Sequence, residues 1–136
     1  MNRYDLFKIA ATKERRRPQH HESELQQQCV QWFALQPKYR KYEGLLFAVP
    51  NGGQRSKKTA ADLKKEGVVS GVSDLILDVP NKQYHGLRIE MKHGKNKQSE
   101  SQLLYQQRVT AQGYHYALCY TFEQFQEVIN DYLSEK

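Results

Sequence analysis

Two carboxylates and a lysine in this chain are spaced so that one pair of strands would bring them together. Asp74 opens the apolar run Asp74-Leu75-Ile76-Leu77-Asp78-Val79, and Glu90 and Lys92 close a second, Leu87-Arg88-Ile89-Glu90-Met91-Lys92. The turn-forming stretch from Pro80 to Gly86 lies between them, which is the layout of a hairpin with a medium loop. Side chains alternate along an extended strand, so Glu90 and Lys92 share a face. With Asp74 near the open end of the neighbouring strand, two acids and one ammonium converge. Hard divalent cations take oxygen ligands, commonly one or two carboxylates with water and phosphate completing the shell. A phosphodiester repels nucleophiles by its charge; such a cation neutralises that charge, activates water and stabilises the leaving oxygen. Asp74 and Glu90 are the candidate ligands for Mg2+ or Mn2+, and the backbone carbonyl of Met91 is a third oxygen. Lys92 is a compact charge suited to holding the attacking water or the transition-state phosphate. The bare spacing also occurs on solvent-facing strands that do no chemistry. Here Ile76, Val79, Leu87 and Ile89 mark buried strands, and Gly71-Val72-Ser73 precedes Asp74, where a glycine allows backbone to approach a ligand closely.

The elements that must position these groups are legible from periodicity and punctuation. Residues 22–36 read as a helix with Leu25, Cys29, Trp32 and Phe33 on one stripe, ended by Pro37. Residues 45–49 form a short strand stopped by Pro50-Asn51-Gly52-Gly53, and residues 56–66 a short basic helix closed by Gly67. Ser99-x-x-Gln102 has the form of a capping box opening a helix to about Gln112, with Gly113 as its stop. Residues 114–120 alternate as a strand. Thr121-x-x-Gln124 caps a last helix whose Phe122, Phe125, Val128, Ile129, Tyr132 and Leu133 form an amphipathic stripe. The order is α, β, α, β, β, α, β, α, an α/β fold with a mixed sheet flanked by helices.

At 136 residues the chain is expected to hold one domain, residues 20–136, behind a basic N-terminal segment, residues 1–19. Residues 4–11 of that segment read as a short helix, and Lys13, Arg15, Arg16 and Arg17 as a phosphate contact or a solvated tail. The net charge of +6 and pI near 9.3 favour a polyanionic partner, with nucleic acid first. Cys29 and Cys119 lie in apolar segments without metal-ligand spacing and read as buried thiols. No apolar run approaches the roughly 20 residues of a membrane span, and no signal-peptide core opens the chain. A cytoplasmic protein is expected.

Gly67-x-x-x-Gly71-Val72-Ser73-Asp74-Leu75-Ile76, then Ile89-Glu90-Met91-Lys92 and Ser99-x-x-Gln102, resembles the VRR-NUC (virus-type replication-repair nuclease) family of the PD-(D/E)xK superfamily. Glu22-Ser23-Glu24-Leu25-Gln26 and Pro50-Asn51-Gly52-Gly53 also fit that pattern, so the resemblance spans about residues 20–120. The proline common before the motif aspartate is Ser73 here, a position that shapes the turn. The resemblance implies a restriction-endonuclease-like fold and metal-dependent cleavage of DNA. It implies Asp74 and Glu90 as metal ligands, Lys92 as the catalytic lysine, Gln102 as a polar site residue, and Glu22 as a further acid acting directly or through water. Small stand-alone members resemble Holliday-junction resolvases, which implies a homodimer acting on branched DNA; a short chain without an accessory domain fits that group.

Several assignments stay open at this point. Glu24 competes with Glu22 for the acid role. Gln26, one turn after Glu22, is a supporting residue on the same face. Gln102 is a site residue, a capping partner for Ser99, or both. Asn51, Gly52, Gln54, Arg55, Lys57 and Lys58 form a plain turn and helix start or a DNA-gripping loop, and Lys95 and Lys97 a second grip or a solvated face. His93 and His115 read as surface or core histidines. The competing functions are a restriction-type endonuclease on linear duplex, an RNA nuclease, and a non-catalytic DNA-binding module of the same fold. The sequence does not fix the dimer interface; exposed apolar side chains on the terminal helix or on residues 4–11 are candidate sites.

Overall fold

The computed structural model describes residues 17–50 and 57–134. The expected helix at 4–11, the basic arm as far as Arg16, and Asn51, Gly52, Gly53, Gln54 and Arg55 lie outside the described residues.

The first helix, α1 (Arg17–Leu35), starts earlier than its apolar stripe indicates. Pro18 sits in the helix's first turn. Proline fits there because its missing N–H would find no intrahelical acceptor in any case. A 3-10 helix (Pro37–Tyr42) follows, then β1 (Leu46–Ala48), α2 (Lys57–Lys65), β2 (Leu75–Leu77) and β3 (Leu87–Met91). The chain ends with α3 (Glu100–Ala111), β4 (His115–Cys119) and α4 (Phe122–Ser134).

The sheet order is β1-β2-β3-β4. β1/β2 and β2/β3 are antiparallel, and β3/β4 is parallel, with α3 supplying the crossover that a parallel pair needs. The regular ladders are shorter than the apolar runs in the sequence, but pairing continues past their ends. The Val49 N–H donates to the Asp74 carbonyl (2.9 Å), and the Asp78 N–H donates to the Leu45 carbonyl (2.9 Å).

Strand alternation divides the sheet. Leu75, Leu77, Leu87, Ile89 and Met91 point to one face and are buried with Cys29 and Phe33 of α1 and Phe125, Ile129 and Leu133 of α4. Trp32 meets Tyr39, Phe122 and Phe125 edge-on, so its ring belongs to packing. The other face carries Arg88, Glu90, Lys92 and Tyr116 and is covered by α3, none of whose side chains is buried. The apolar stripe of α4 is turned into the core, so it is not an exposed candidate for the dimer surface. Exposed apolar side chains lie instead at Leu35, Phe47, Val68, Val69, Leu103 and Leu104. Among the described residues, no helix is long and apolar enough to cross a membrane.

Candidate active site

The β2–β3 hairpin assembles the acids. Its register pairs Leu75 with Ile89, and one further step sets Asp74 opposite Glu90. The Asp74 carboxylate is fixed there by the Met91 N–H, which donates to Oδ2 at 2.8 Å. Ser73, fully buried, donates its hydroxyl to the Leu75 carbonyl (3.2 Å) and braces the turn into β2. Lys92 follows β3 and is held by its own N–H, which donates to the Cys119 carbonyl on β4 (2.9 Å).

Gln102 links the cluster to α3. Ser99 and Gln102 close the reciprocal capping box expected from sequence: the Gln102 N–H donates to Ser99 Oγ (3.3 Å), and the Ser99 N–H donates to Gln102 Oε1 (2.9 Å). That same Oε1 accepts from Lys92 Nζ (2.8 Å), while Nε2 donates to Glu90 Oε1 (2.9 Å). The side chain is thus cap and site residue at once. Its amide orientation is fixed by chemistry, since a flipped amide would turn its NH2 toward two donors and its oxygen toward a carboxylate. Lys92 Nζ stands 3.9 Å from Glu90 Oε1, so the ammonium leans on the glutamine and forms only a loose ion pair.

The acids are under electrostatic tension. Burial raises the Glu90 carboxyl to about 8, with the nearby Asp74 charge adding to the rise and Lys92 opposing it. Asp74 is raised in the same direction, again first by burial, against the Met91 hydrogen bond. Glu90 is 3% exposed, and its Oε2 atom is buried with no hydrogen-bond donor. Two neighbouring buried carboxylates, one of them with an oxygen that no donor meets, are costly unless they share a proton or a cation. The donor set therefore fits a hard divalent cation held by two carboxylates and completed by water and phosphate. Among the described residues, no three His, Cys, Asp or Glu side chains close into a metal-binding group. Glu22 lines the cleft, and its charge adds to the rise at Asp74.

An open cleft of about 270 Å³ lies over the cluster, lined by Glu22, Asp74, Glu90, Lys92, Ser101 and Gln102 along with Gly71, Val72 and Ser99. Of the two candidate acids on α1, Glu22 lines it and Glu24 does not; Glu22 Oε1 accepts from Asn96 Nδ2 at 3.4 Å. Gln26 is half-buried and lies outside the lining. Gly71 has a different reason to be glycine from the one expected. Its φ is +87°, and a Cβ there would stand 2.3 Å from the carbonyl carbon and oxygen of Ser101, so the close approach is to the backbone of α3. Lys95 and Lys97 are exposed on the loop after Lys92, outside the cleft lining. Lys57 and Lys58 begin α2.

Ser101, Val72 and Asn96 were not singled out from sequence. Ser101 sits inside a capping box and leaves no periodic signal, and Asn96 reaches Glu22 only through the tertiary fold. His21 and His93 stack with ring centroids 4.9 Å apart beside the cleft. His115 packs in a cluster with the rings of Tyr84 and Tyr132, and burial lowers its pKa, as suits a packed histidine. A larger concavity of about 550 Å³ opens between the 3-10 helix and the end of α4. It is lined by Lys38, Lys41 and Asp131 and gathers no pair of acids, so size does not pick out the chemistry.

Comparisons with known proteins bear on the family and the fold. Among curated proteins, none is significantly similar to the chain. A solved structure, a VRR_NUC domain protein, superposes with a TM-score of 0.73 at 28% identity, covering 84% of this chain and 88% of that one. The VRR-NUC domain profile matches residues 10–123, a span that takes in both acids, the lysine and the glutamine. On that match, and on a nuclease-type fold that carries the acids and lysine to one cleft, the chain belongs to the VRR-NUC domain family.

Proposed function

We propose that the protein is a divalent-metal-dependent DNA endonuclease that hydrolyses phosphodiester bonds, with branched DNA such as Holliday junctions as its substrate class and a homodimer as its working form. The observation that carries the metal requirement is the buried pair of neighbouring carboxyls, Asp74 and Glu90, with no hydrogen-bond donor meeting Glu90 Oε2 among the described residues. Asp74, Glu90 and the Met91 carbonyl would hold the ion, with Glu22 reaching it directly or through water. Bound there, Mg2+ or Mn2+ supplies phosphate neutralisation and an activated water. Lys92 carries its charge to the phosphate and orients the attacking water, because Gln102 holds Nζ in the cleft and away from a closed pair with Glu90. Gln102 also holds Glu90 Oε1, leaving Oε2 for the cation. The preference for branched DNA rests on family resemblance, and two sites about a two-fold axis suit paired incisions.

A cleavage assay with purified protein and Mn2+ or Mg2+ tests this reading, comparing a labelled four-way junction, a flap, linear duplex and single strand. Paired symmetric nicks in the junction are the expected result. Cutting confined to linear duplex would replace the branched-DNA reading with a restriction-type one. Binding to all substrates without cutting would leave a DNA-binding module.

A further inference from the structure

Helix α2 (Lys57–Lys65) stands apart from the rest of the molecule. It makes no more than isolated contacts with any other described element, and its side chains from Thr59 to Lys65 are exposed except for half-buried Leu63. It is nevertheless a finished helix. The Gly67 N–H donates to the Lys64 carbonyl (3.0 Å) and the Val68 N–H to the Leu63 carbonyl (2.9 Å), with Gly67 at φ +100°. That is a Schellman stop. Nine residues are too few to hold a helix well in water without a packing partner, so an exposed one of this length needs something to lie against.

The lysines indicate what that partner is. α2 carries Lys57, Lys58, Lys64 and Lys65 against the single acid Asp62. At 3.6 residues per turn these four backbone positions fall within an arc of about 120°, and the two pairs are about 10 Å apart along the axis. Leu63, the half-buried position, lies on the opposite side of the helix, and Lys64 and Lys65 are exposed. The arm also begins and ends at the cleft. It leaves the sheet after β1 and returns at Asp74, where the Val49 N–H meets the Asp74 carbonyl (2.9 Å), and Gly71 rests on the first turn of α3.

We infer that α2 is a backbone-gripping arm that lies against the phosphates of duplex DNA beside the cleft, using its exposed Lys64 and Lys65 and reading no sequence. The inference rests on the proposed DNA-cutting activity and extends it to Lys64 and Lys65, giving the substrate a duplex flank next to the cut. Phosphate contacts position a protein on DNA without specifying bases, and each contributes about 0.9 to the slope of log affinity against log salt.

The test is fluorescence anisotropy of labelled duplexes with the full chain in EDTA, across a salt series, for wild type, Lys64→Ala/Lys65→Ala and Lys38→Ala/Lys41→Ala. Alanine preserves the helix, and Lys38 and Lys41 sit at the other end of the sheet as a control. The expected result is affinity lower by about 10-fold or more for the α2 variant, alike on unrelated duplexes, with a salt slope shallower by about 2. With Mn2+ added, its KM rises and its kcat holds. Affinity and slope equal to wild type would overturn the inference, as would an equal loss in the control. A wild type that cuts DNA while the α2 variant binds alike removes the arm alone; a wild type that neither binds nor cuts removes the proposed function with it.

Discussion

The two faces of strand β3 do opposite work with neighbouring residues. Leu87, Ile89 and Met91 are sealed into a core closed by α1 and α4, each at most 1% exposed. Arg88, Glu90 and Lys92 point the other way, under α3, a helix that buries none of its side chains. Burial is nearly as deep on this second face: Glu90 is 3% exposed and Lys92 8%. The faces differ in what the burial accomplishes. On the core face it removes apolar surface from water and stabilises the fold. On the polar face it desolvates two acids and leaves an oxygen without a donor, which opposes folding and is the feature on which the proposed cation site rests.

Substitutions should therefore separate the faces, beginning with the largest effect. Asp74→Ala is expected to lower cleavage by about 10³-fold or more while leaving the melting temperature near that of wild type, measured by single-turnover kinetics and thermal denaturation. Phe125→Ala, on the core face, should instead cost about 3–5 kcal/mol by urea unfolding, and the fraction that stays folded should keep its chemistry. Gly71→Ala breaks the partition. A left-handed backbone and a Cβ 2.3 Å from Ser101 force α3 to shift, so activity and stability should fall together.

The pH dependence of metal-free protein sharpens the contrast. Glu90 is raised from 4.5 to about 8 in the folded state. The folded protein thus holds a proton that the unfolded chain releases, and the stability linked to it is full below 4.5 and lost as pH rises toward 8. Mn2+ should compete with that proton, so its stabilising shift in melting temperature should be larger at pH 8 than at pH 5.5. Glu90→Gln should flatten both trends, and an equal Mn2+ shift at the two pH values would remove the cation from this pair. The smallest expected effect is at the cap: Ser99→Ala should cost about 1 kcal/mol and only modestly slow cleavage, because Gln102 keeps its bonds to Glu90 and Lys92.

The two faces were also unequally legible in the sequence. The stripe on α4 and the alternation on β3 announced the core, because period and hydrophobicity suffice for elements that pack. α3 has no apolar stripe to read; it was legible through Ser99 and Gln102, whose spacing is a local capping signal. Asp74, Glu90 and Lys92 could be placed together because a hairpin and a two-residue period fix them. What Gly71 touches could not, since its neighbour is backbone thirty residues away in sequence. Ser101 and Asn96 enter the site by tertiary contact alone. The start of α1 was missed because Pro18 marks a break in most contexts and is tolerated in a first turn.

The most direct test joins Mn2+ calorimetry to cleavage of labelled DNA on one preparation each of wild type and Lys92→Ala. Retained Mn2+ binding with cleavage lost in the variant is the result predicted for a cation on Asp74 and Glu90 and a lysine that acts on the phosphate. Cleavage by Lys92→Ala at the wild-type rate would contradict the account of the site.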